Sequence, residues 1–202
     1  MNKQQLILSK AKELFMKYGI RSISMDDLAR ELGISKKTLY QHIKDKKELI
    51  RQIMEYDMEE FNKKVENITE NAENAMEVIV KINEEMLKII SQLPSNVKYD
   101  LKKYYPDIAD NINKEMDKKM FEAIVKNIKR GQKEGIFRKD IVPEIIAKLQ
   151  IIRSKALFNG SYQDIEASYS KAEIIKETFK YHIYGITTKK GLQIYKELQQ
   201  KK

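Results

Sequence analysis

A short stretch of the chain concentrates side chains that can hydrogen-bond to nucleotide bases and phosphates. Between Ser35 and Ile43, the outward positions of a predicted helix hold basic, hydroxyl, imidazole and amide groups: Lys36, Lys37, Thr38, Tyr40, Gln41 and His42. A Lys ammonium gives guanine a point-like donor, and a Gln amide pairs bidentately with adenine. Leu39 and Ile43 fall on the inward face. The stretch therefore predicts a helix with one apolar face and one face of donors.

A second short helix is predicted immediately before this one. Ser24 can cap it by accepting the backbone N–H of Asp27, and acidic residues in the first turn suit the helix dipole. Its apolar residues share one face: Leu28, Ala29 and Leu32. Gly33 supplies a turn conformation that a residue with a Cβ resists, and Ser35 can cap the next helix. Two helices joined in this way form the layout of a major-groove reader.

Apolar spacing predicts further helices that support this pair. The first runs from about Asn2 to Tyr18, and a fourth begins after Asp45. Later helices are expected near residues 75–92, 95–104, 106–134, 143–159 and 171–187, with a shorter one near 190–200. The predicted fold is all-α. It has an N-terminal three-helix domain at residues 1–48 and a larger helical domain at residues 49–202, with the fourth helix as connector.

Composition and charge agree with a helical protein that meets a polyanion. The chain has 202 residues, of which 42% are hydrophobic and 34% charged, with seven Gly and three Pro. Of the formal net charge of +9, the first 50 residues carry eleven Lys/Arg against six Asp/Glu, a net of +5. No apolar run approaches the ~20 residues that a membrane-spanning helix needs. The absence of Cys suits a reducing compartment, so we expect a cytoplasmic location.

Enzymatic chemistry has no candidate residues in this sequence. The two His residues, His42 and His182, lie in separate segments, and there is no Cys to complete a zinc site or act as a nucleophile. The glycines form neither a dinucleotide-binding pattern nor a phosphate-binding loop. We therefore predict a protein that is not an enzyme and needs no metal or cofactor.

The N-terminal quarter resembles the tetracycline-repressor (TetR) family of transcriptional regulators. The positions that match its pattern are Phe15, Gly19, Ser24, Leu28, Ala29, Gly33, Ile34, Ser35, Thr38, Leu39, Tyr40, Gln41, His42, Lys46 and Leu49. Ile43 departs from the pattern because an aromatic residue is usual there, and we expect looser packing at this site. The resemblance implies a DNA-binding regulator, and repression is the family's usual mode.

The resemblance also assigns roles within the helix-turn-helix. It implies that four residues of the second helix meet base edges, namely Lys36, Lys37, Thr38 and Gln41, while Ser35 caps that helix. Phosphate contacts are implied for Ser24, Tyr40, His42 and Lys46. For Tyr40 and His42, packing inside the small domain is the alternative.

By resemblance, the protein is a homodimer that binds a palindromic operator. The last two long helices would form the subunit interface through Ile145, Leu149, Ile152, Ile175, Phe179, Ile183 and Ile186. The alternative is that these stripes pack within one subunit. His182 lies near this face and is expected to be a hydrogen-bonded core or interface residue.

The remaining helices are expected to enclose a pocket for a small, largely hydrophobic effector. Candidate lining residues are Met58, Phe61, Met86, Tyr104, Met120, Phe121, Phe158 and Tyr162. Effector binding would change the spacing of the two recognition helices through the fourth helix and release the DNA. Two alternatives remain: an architectural or recruiting DNA-bound dimer without an effector, and a helical adaptor that no longer binds DNA.

Overall fold

The computed structural model describes residues 3–159, 165 and 167–200. Ten helices lie within this part of the chain: α1 Lys3–Tyr18, α2 Met25–Glu31, α3 Lys36–Tyr40, α4 Lys46–Asn71, α5 Ala75–Gln92, α6 Ser95–Tyr104, α7 Pro106–Lys133, α8 Pro143–Asn159, α9 Lys171–Ile186 and α10 Lys189–Gln200. The predicted all-α fold is confirmed. None of these helices is both long enough and apolar enough to cross a membrane.

The chain packs as two compact units. Unit 1 combines Met1–Val65 with Ser91–Met116, and unit 2 combines Glu66–Ile90 with Asp117–Lys202. Helices α4, α5 and α7 each contribute residues to both units. The domain boundary predicted at residue 48 therefore lies inside the first packing unit.

Unit 1 is built around the apolar faces of its N-terminal helices. Leu28, Leu39 and Leu49 are fully buried, and they pack with the inward residues of α1. Residues from α6 and the start of α7 join the same core, namely Val97, Ile108 and Ile112. This long-range packing is why α6 belongs to the unit that carries the helix-turn-helix.

Unit 2 uses one face of α9 as core, and this corrects part of the predicted subunit interface. Phe179, Ile183 and Ile186 pack with Met76 of α5 and with Phe137, and each is at most 8% exposed. Ile175 is buried in a smaller cluster with Leu157 and Ile174. The prediction that Ile175, Phe179, Ile183 and Ile186 form a dimer surface is therefore wrong, because the chain's own core already covers them.

Candidate nucleic-acid interface

The first helix of the pair begins with a reciprocal cap. The Ser24 hydroxyl accepts the backbone N–H of Asp27 at 3.1 Å, and the Asp27 carboxylate accepts the Ser24 backbone N–H at 3.0 Å. The Ser24 hydroxyl also donates to that carboxylate at 2.6 Å. These bonds from Ser24 lower the pKa of Asp27. The predicted cap is present, and it fixes where α2 begins.

The turn between the two helices closes on a glycine with left-handed backbone. Gly33 has φ +64°, and its N–H donates to the Arg30 carbonyl at 3.0 Å. The Ile34 N–H returns to the Ala29 carbonyl at 3.0 Å, which satisfies the last carbonyls of α2. A residue with a Cβ is strained at this φ, so Gly33 sets the angle at which α3 leaves the turn.

Helix α3 is short and capped by Ser35. The Ser35 hydroxyl accepts the Thr38 N–H at 3.0 Å, and the two hydroxyl groups share a hydrogen bond of 2.8 Å. The Thr38 hydroxyl is therefore engaged in the cap, and the Thr38 side chain is half-buried. Leu39 and Ile43 are almost completely buried below this helix. The isoleucine therefore occupies an inward position, as the family's usual aromatic would.

The opposite face of this segment is exposed. Lys36, Lys37, Tyr40, Gln41 and His42 all reach solvent, and Tyr40 is 42% exposed. The alternative in which Tyr40 and His42 pack inside the small domain is wrong.

One of these donors is tethered to α2. The Lys36 ammonium lies 2.7 Å from the Asp26 carboxylate, and both side chains are exposed. The hydrogen bond and charge of Asp26 raise the pKa of Lys36. An exposed ion pair contributes at most about 1 kcal/mol, so a guanine or phosphate competes readily for Lys36.

Lys46 is partly buried and contacts the loop that precedes α2. Its ammonium donates to the Ile23 carbonyl at 2.5 Å and lies 5.8 Å from the centroid of the Phe15 ring. Partial burial lowers its pKa, although Asp100 and Asp27 act in the opposite direction. Lys46 therefore ties the start of α4 to the residue before Ser24, and its phosphate contact stays a prediction.

The predicted pocket residues are divided between the two units. Tyr104 belongs to unit 1, is exposed, and accepts a hydrogen bond from Arg21 at 2.9 Å, and its place in a pocket stays a prediction. Met58 packs against the core of unit 1, and Phe61 is half-buried on α4. Half-buried residues of unit 2 are Met86, Met120 and Phe121. The Phe158 side chain and Tyr162 lie outside the described residues.

Unit 2 instead contains buried polar atoms that sequence reasoning missed. Asn127 donates to the Ala75 carbonyl at 3.0 Å, but its Oδ1 has no partner among the described residues, and neither has Gln150 Oε1. The Nε2 of His182 also lacks a partner there. Burial, assisted by the charge of Arg153, lowers the pKa of His182 to about 3. Within the described ranges, no cluster of three or more His, Asp or Glu is arranged to hold a metal.

Sequence comparison locates the similarity in the N-terminal region. The family described as "Bacterial regulatory proteins, tetR family" matches residues 7–53. A Staphylococcus aureus protein (strain bovine RF122 / ET3-1), the HTH-type transcriptional regulator SAB2452, is 36% identical over 76 residues. That match covers 38% of this chain and 41% of the relative, so the chain spans about two fifths of its length.

Solved structures share the fold over nearly the whole chain. A TetR/AcrR-family regulator from Thermobifida fusca YX-ER1 is 19% identical with a TM-score of 0.71, covering 91% of this chain and 97% of that one. The fatty acid degradation regulator FadR from Bacillus halodurans is 14% identical with a TM-score of 0.67, covering 91% and 95%. Together with the capped helix-turn-helix and its exposed donors, these similarities show that residues 7–53 match the TetR family of bacterial regulatory proteins and that the chain has the fold of solved TetR/AcrR-family regulators.

Proposed function

We propose that this protein is a homodimeric repressor that binds a palindromic operator and is released by a small, largely apolar effector held in unit 2. The observation that carries the proposal is an apolar stripe on α8 that is exposed in the described part of the chain. Ile145, Leu149 and Ile152 are 57%, 56% and 63% exposed. Their spacing of four and three residues places them on one side of the helix.

This stripe supports a symmetric subunit contact. Aliphatic residues that form a continuous exposed row mark an interaction surface, and burial of each side chain stabilises an interface by about 1.5–3 kcal/mol. On α9, Tyr181 and Tyr184 are exposed on the side away from the buried Ile183. Tyrosine is enriched in interfaces. The proposed surface therefore combines the α8 stripe with these two tyrosines and leaves out the buried residues of α9.

A dimer supplies the number of base contacts that the exposed face of a single α3 cannot make. One helix of five residues makes few base contacts, whereas two copies related by a two-fold axis read half-sites about 34–36 Å apart. We infer that Lys37, Thr38 and Gln41 contact bases and that Lys36 exchanges Asp26 for DNA. Phosphate contacts are proposed for Ser24, Tyr40, His42 and Lys46.

The buried polar atoms of unit 2 support an effector with a polar group. A buried acceptor without a partner costs about 1–3 kcal/mol, and a ligand hydroxyl or amine would remove that cost for Asn127 Oδ1 or Gln150 Oε1. Half-buried Met86, Met120 and Phe121 offer adaptable apolar surface in the same unit. FadR, whose fold this chain shares, is named for fatty acid degradation, and an acyl compound that also carries a hydroxyl group or an amide N–H would supply such a donor.

Three measurements test the proposal. Light scattering should give the mass of a dimer. A fluorescent duplex, selected by the protein from random sequences, should bind it in an anisotropy titration. A panel of hydroxylated fatty acids and fatty acid amides should then include compounds that bind the protein and weaken this DNA affinity. Complete release requires that such a compound bind the DNA-free conformation more tightly than the DNA-bound one by about 5.5 kcal/mol.

A strictly monomeric protein, or one that ignores DNA at low ionic strength, would overturn the proposal. If no compound that binds the protein alters its DNA affinity, the effector part fails and the architectural dimer is favoured.

A further inference from the structure

Two cations in unit 1 share one aromatic ring. The Arg21 guanidinium donates to the Tyr104 hydroxyl at 2.9 Å, and its central carbon lies 5.2 Å from the ring centroid. The Lys103 ammonium lies 5.5 Å from the same centroid and donates to the Tyr99 hydroxyl at 2.6 Å. Arg21 and Lys103 thus stand together on the loop after α1 and the last turn of α6, although 82 positions separate them in sequence.

Among the described residues, neither of these two cations forms an ion pair with a carboxylate. Other exposed lysines of unit 1 do pair with carboxylates, for example Lys12 with Asp57, Lys36 with Asp26 and Lys47 with Asp107. In the described part of the chain, neither the Arg21 guanidinium nor the Lys103 ammonium lies within 4.0 Å of a carboxylate oxygen. Arg21, Tyr99, Lys103 and Tyr104 are all exposed. Like charges held close together at a surface favour an anionic partner.

A buried carboxylate holds this group in place. Asp100, which is only 9% exposed, accepts the Arg21 backbone N–H at 2.9 Å and so fastens α6 to the loop before α2. Lys46 binds the carbonyl of Ile23 in the same loop. These two hydrogen bonds fix the backbone of the loop that carries Arg21. Hydrogen bonds to the tyrosine hydroxyls further restrain the flexible side chains of Arg21 and Lys103.

This group adjoins the N-terminus of α2. Arg21 precedes the cap residue Ser24 by three residues, a span of at most about 11 Å. One DNA strand carries a phosphate for each 3.4 Å of helix axis, so about three phosphates fit along that span. A strand that meets Ser24 can thus continue past Arg21.

We propose that Arg21 and Lys103, with Tyr99 and Tyr104 orienting them, form a second phosphate-binding surface that extends the DNA interface onto α6. This Arg21–Lys103 surface rests on the proposed DNA binding of the dimer and adds to it a set of contacts outside the helix-turn-helix. It takes backbone phosphates of double-stranded DNA without reading sequence. Each subunit contributes two such contacts.

Charge-removing variants test this surface. Arg21→Gln, Lys103→Gln and the double variant are compared with wild type and with Lys139→Gln, a control that removes one charge from an exposed lysine of unit 2. The affinity of each protein for the selected fluorescent duplex is measured by anisotropy as salt is raised. Thermal unfolding of each variant shows whether its fold is intact, and Arg21→Lys keeps the charge if Arg21→Gln unfolds.

The expected result is a smaller salt dependence for the variants. The slope of log affinity against log salt should shrink by about 0.9 for each phosphate that the variant no longer neutralises, or about 3.6 for the double variant of a dimer. Between about 50 and about 200 mM salt, the wild type should lose roughly 100-fold more affinity than the double variant. The loss of affinity caused by each variant should be the same on operator and on random DNA. Ethylation of phosphates beside each half-site should interfere with binding of the wild type and no longer interfere with binding of the double variant.

Slopes and interference patterns equal to those of wild type and Lys139→Gln would overturn the Arg21–Lys103 surface while leaving DNA binding by the helix-turn-helix intact. A wild-type protein that binds no duplex would overturn the proposed function itself. If Lys103→Gln lowers the unfolding temperature without changing the slope, Lys103 serves only the C-terminus of α6, and the inference is wrong.

Discussion

Helix α3 and helices α8 and α9 distribute polarity in opposite ways. In α3 the buried residue is Leu39 and the exposed ones are donors such as Lys37. In α8 the exposed residues include Ile145, Leu149 and Ile152, while Gln150 has a buried oxygen without a partner among the described residues. On α9, His182 buries a ring nitrogen in the same condition, whereas Tyr181 is 83% exposed.

The difference in polarity indicates which kind of partner each region binds. A polar exposed face is stable in water and needs no partner to fold, so α3 stays available for DNA. An exposed aliphatic row and unpaired buried polar atoms are both costly in an isolated subunit. We infer that the exposed row of α8 is covered in the dimer and that the buried polar atoms of α8 and α9 gain partners when a molecule binds.

The largest expected effect separates two isoleucines that were predicted to share one interface. Ile183→Ala should destabilise the fold by about 2–5 kcal/mol because this fully buried side chain leaves a cavity against Phe137 and Met76. Ile152→Ala, the matched truncation at a residue that is 63% exposed, should leave the unfolding of the isolated subunit within about 0.5 kcal/mol of wild type. Urea unfolding at low protein concentration measures both. Equal losses would contradict the assignment of the two faces.

The next effect concerns association. Leu149→Glu places a carboxylate in the middle of the α8 stripe and should raise the dimer dissociation constant at least about 100-fold, because a charge would be buried without a partner. Gln199→Glu puts the same carboxylate on an exposed position of α10 and should leave the dimer unchanged. Analytical ultracentrifugation reports both constants. A Leu149→Glu protein that remains a dimer would place the subunit contact elsewhere.

The contrast also explains how far sequence could predict this structure. The cap at Ser24 and the turn at Gly33 depend on residues three or four positions away, so local chemistry specified them. The stripes of α8 and α9 have the same helical spacing, and only contacts with distant residues such as Met76 decide which stripe is buried. Likewise, Tyr104 meets Arg21 across 83 positions, and no local pattern signals that pairing.

A smaller effect tests whether the polar face of α3 reads sequence. Gln41→Ala should cost about 1–3 kcal/mol at one or two base pairs of each half-site and leave affinity for random DNA nearly unchanged. This outcome would differ from that of Lys103→Gln, which should weaken binding to all sequences alike. Competition binding with operators mutated one base pair at a time provides the measurement. A uniform loss for Gln41→Ala would show that this residue contacts the backbone.

The smallest effect compares the two histidines as a function of pH. Burial lowers the pKa of His182 to about 3 from an ordinary value of 6.5, so the unfolded chain binds a proton in this window that the folded chain does not. The stabilising contribution of neutral His182 is complete above pH 6.5 and decreases as the pH falls toward 3, by up to about 1.4 kcal/mol for each pH unit.

Replacing the ring isolates this contribution. His182→Gln keeps a polar side chain that does not titrate, so its free energy of unfolding should fall less than that of wild type between about pH 7 and about pH 5. His42→Gln, the same substitution at an exposed histidine, serves as the control. Urea unfolding at the two pH values, at one fixed protein concentration, compares the three proteins. If His182→Gln and His42→Gln follow the same pH dependence, the buried nitrogen of α9 is not energetically distinct from an exposed one, and the contrast between α3 and α9 loses its electrostatic part.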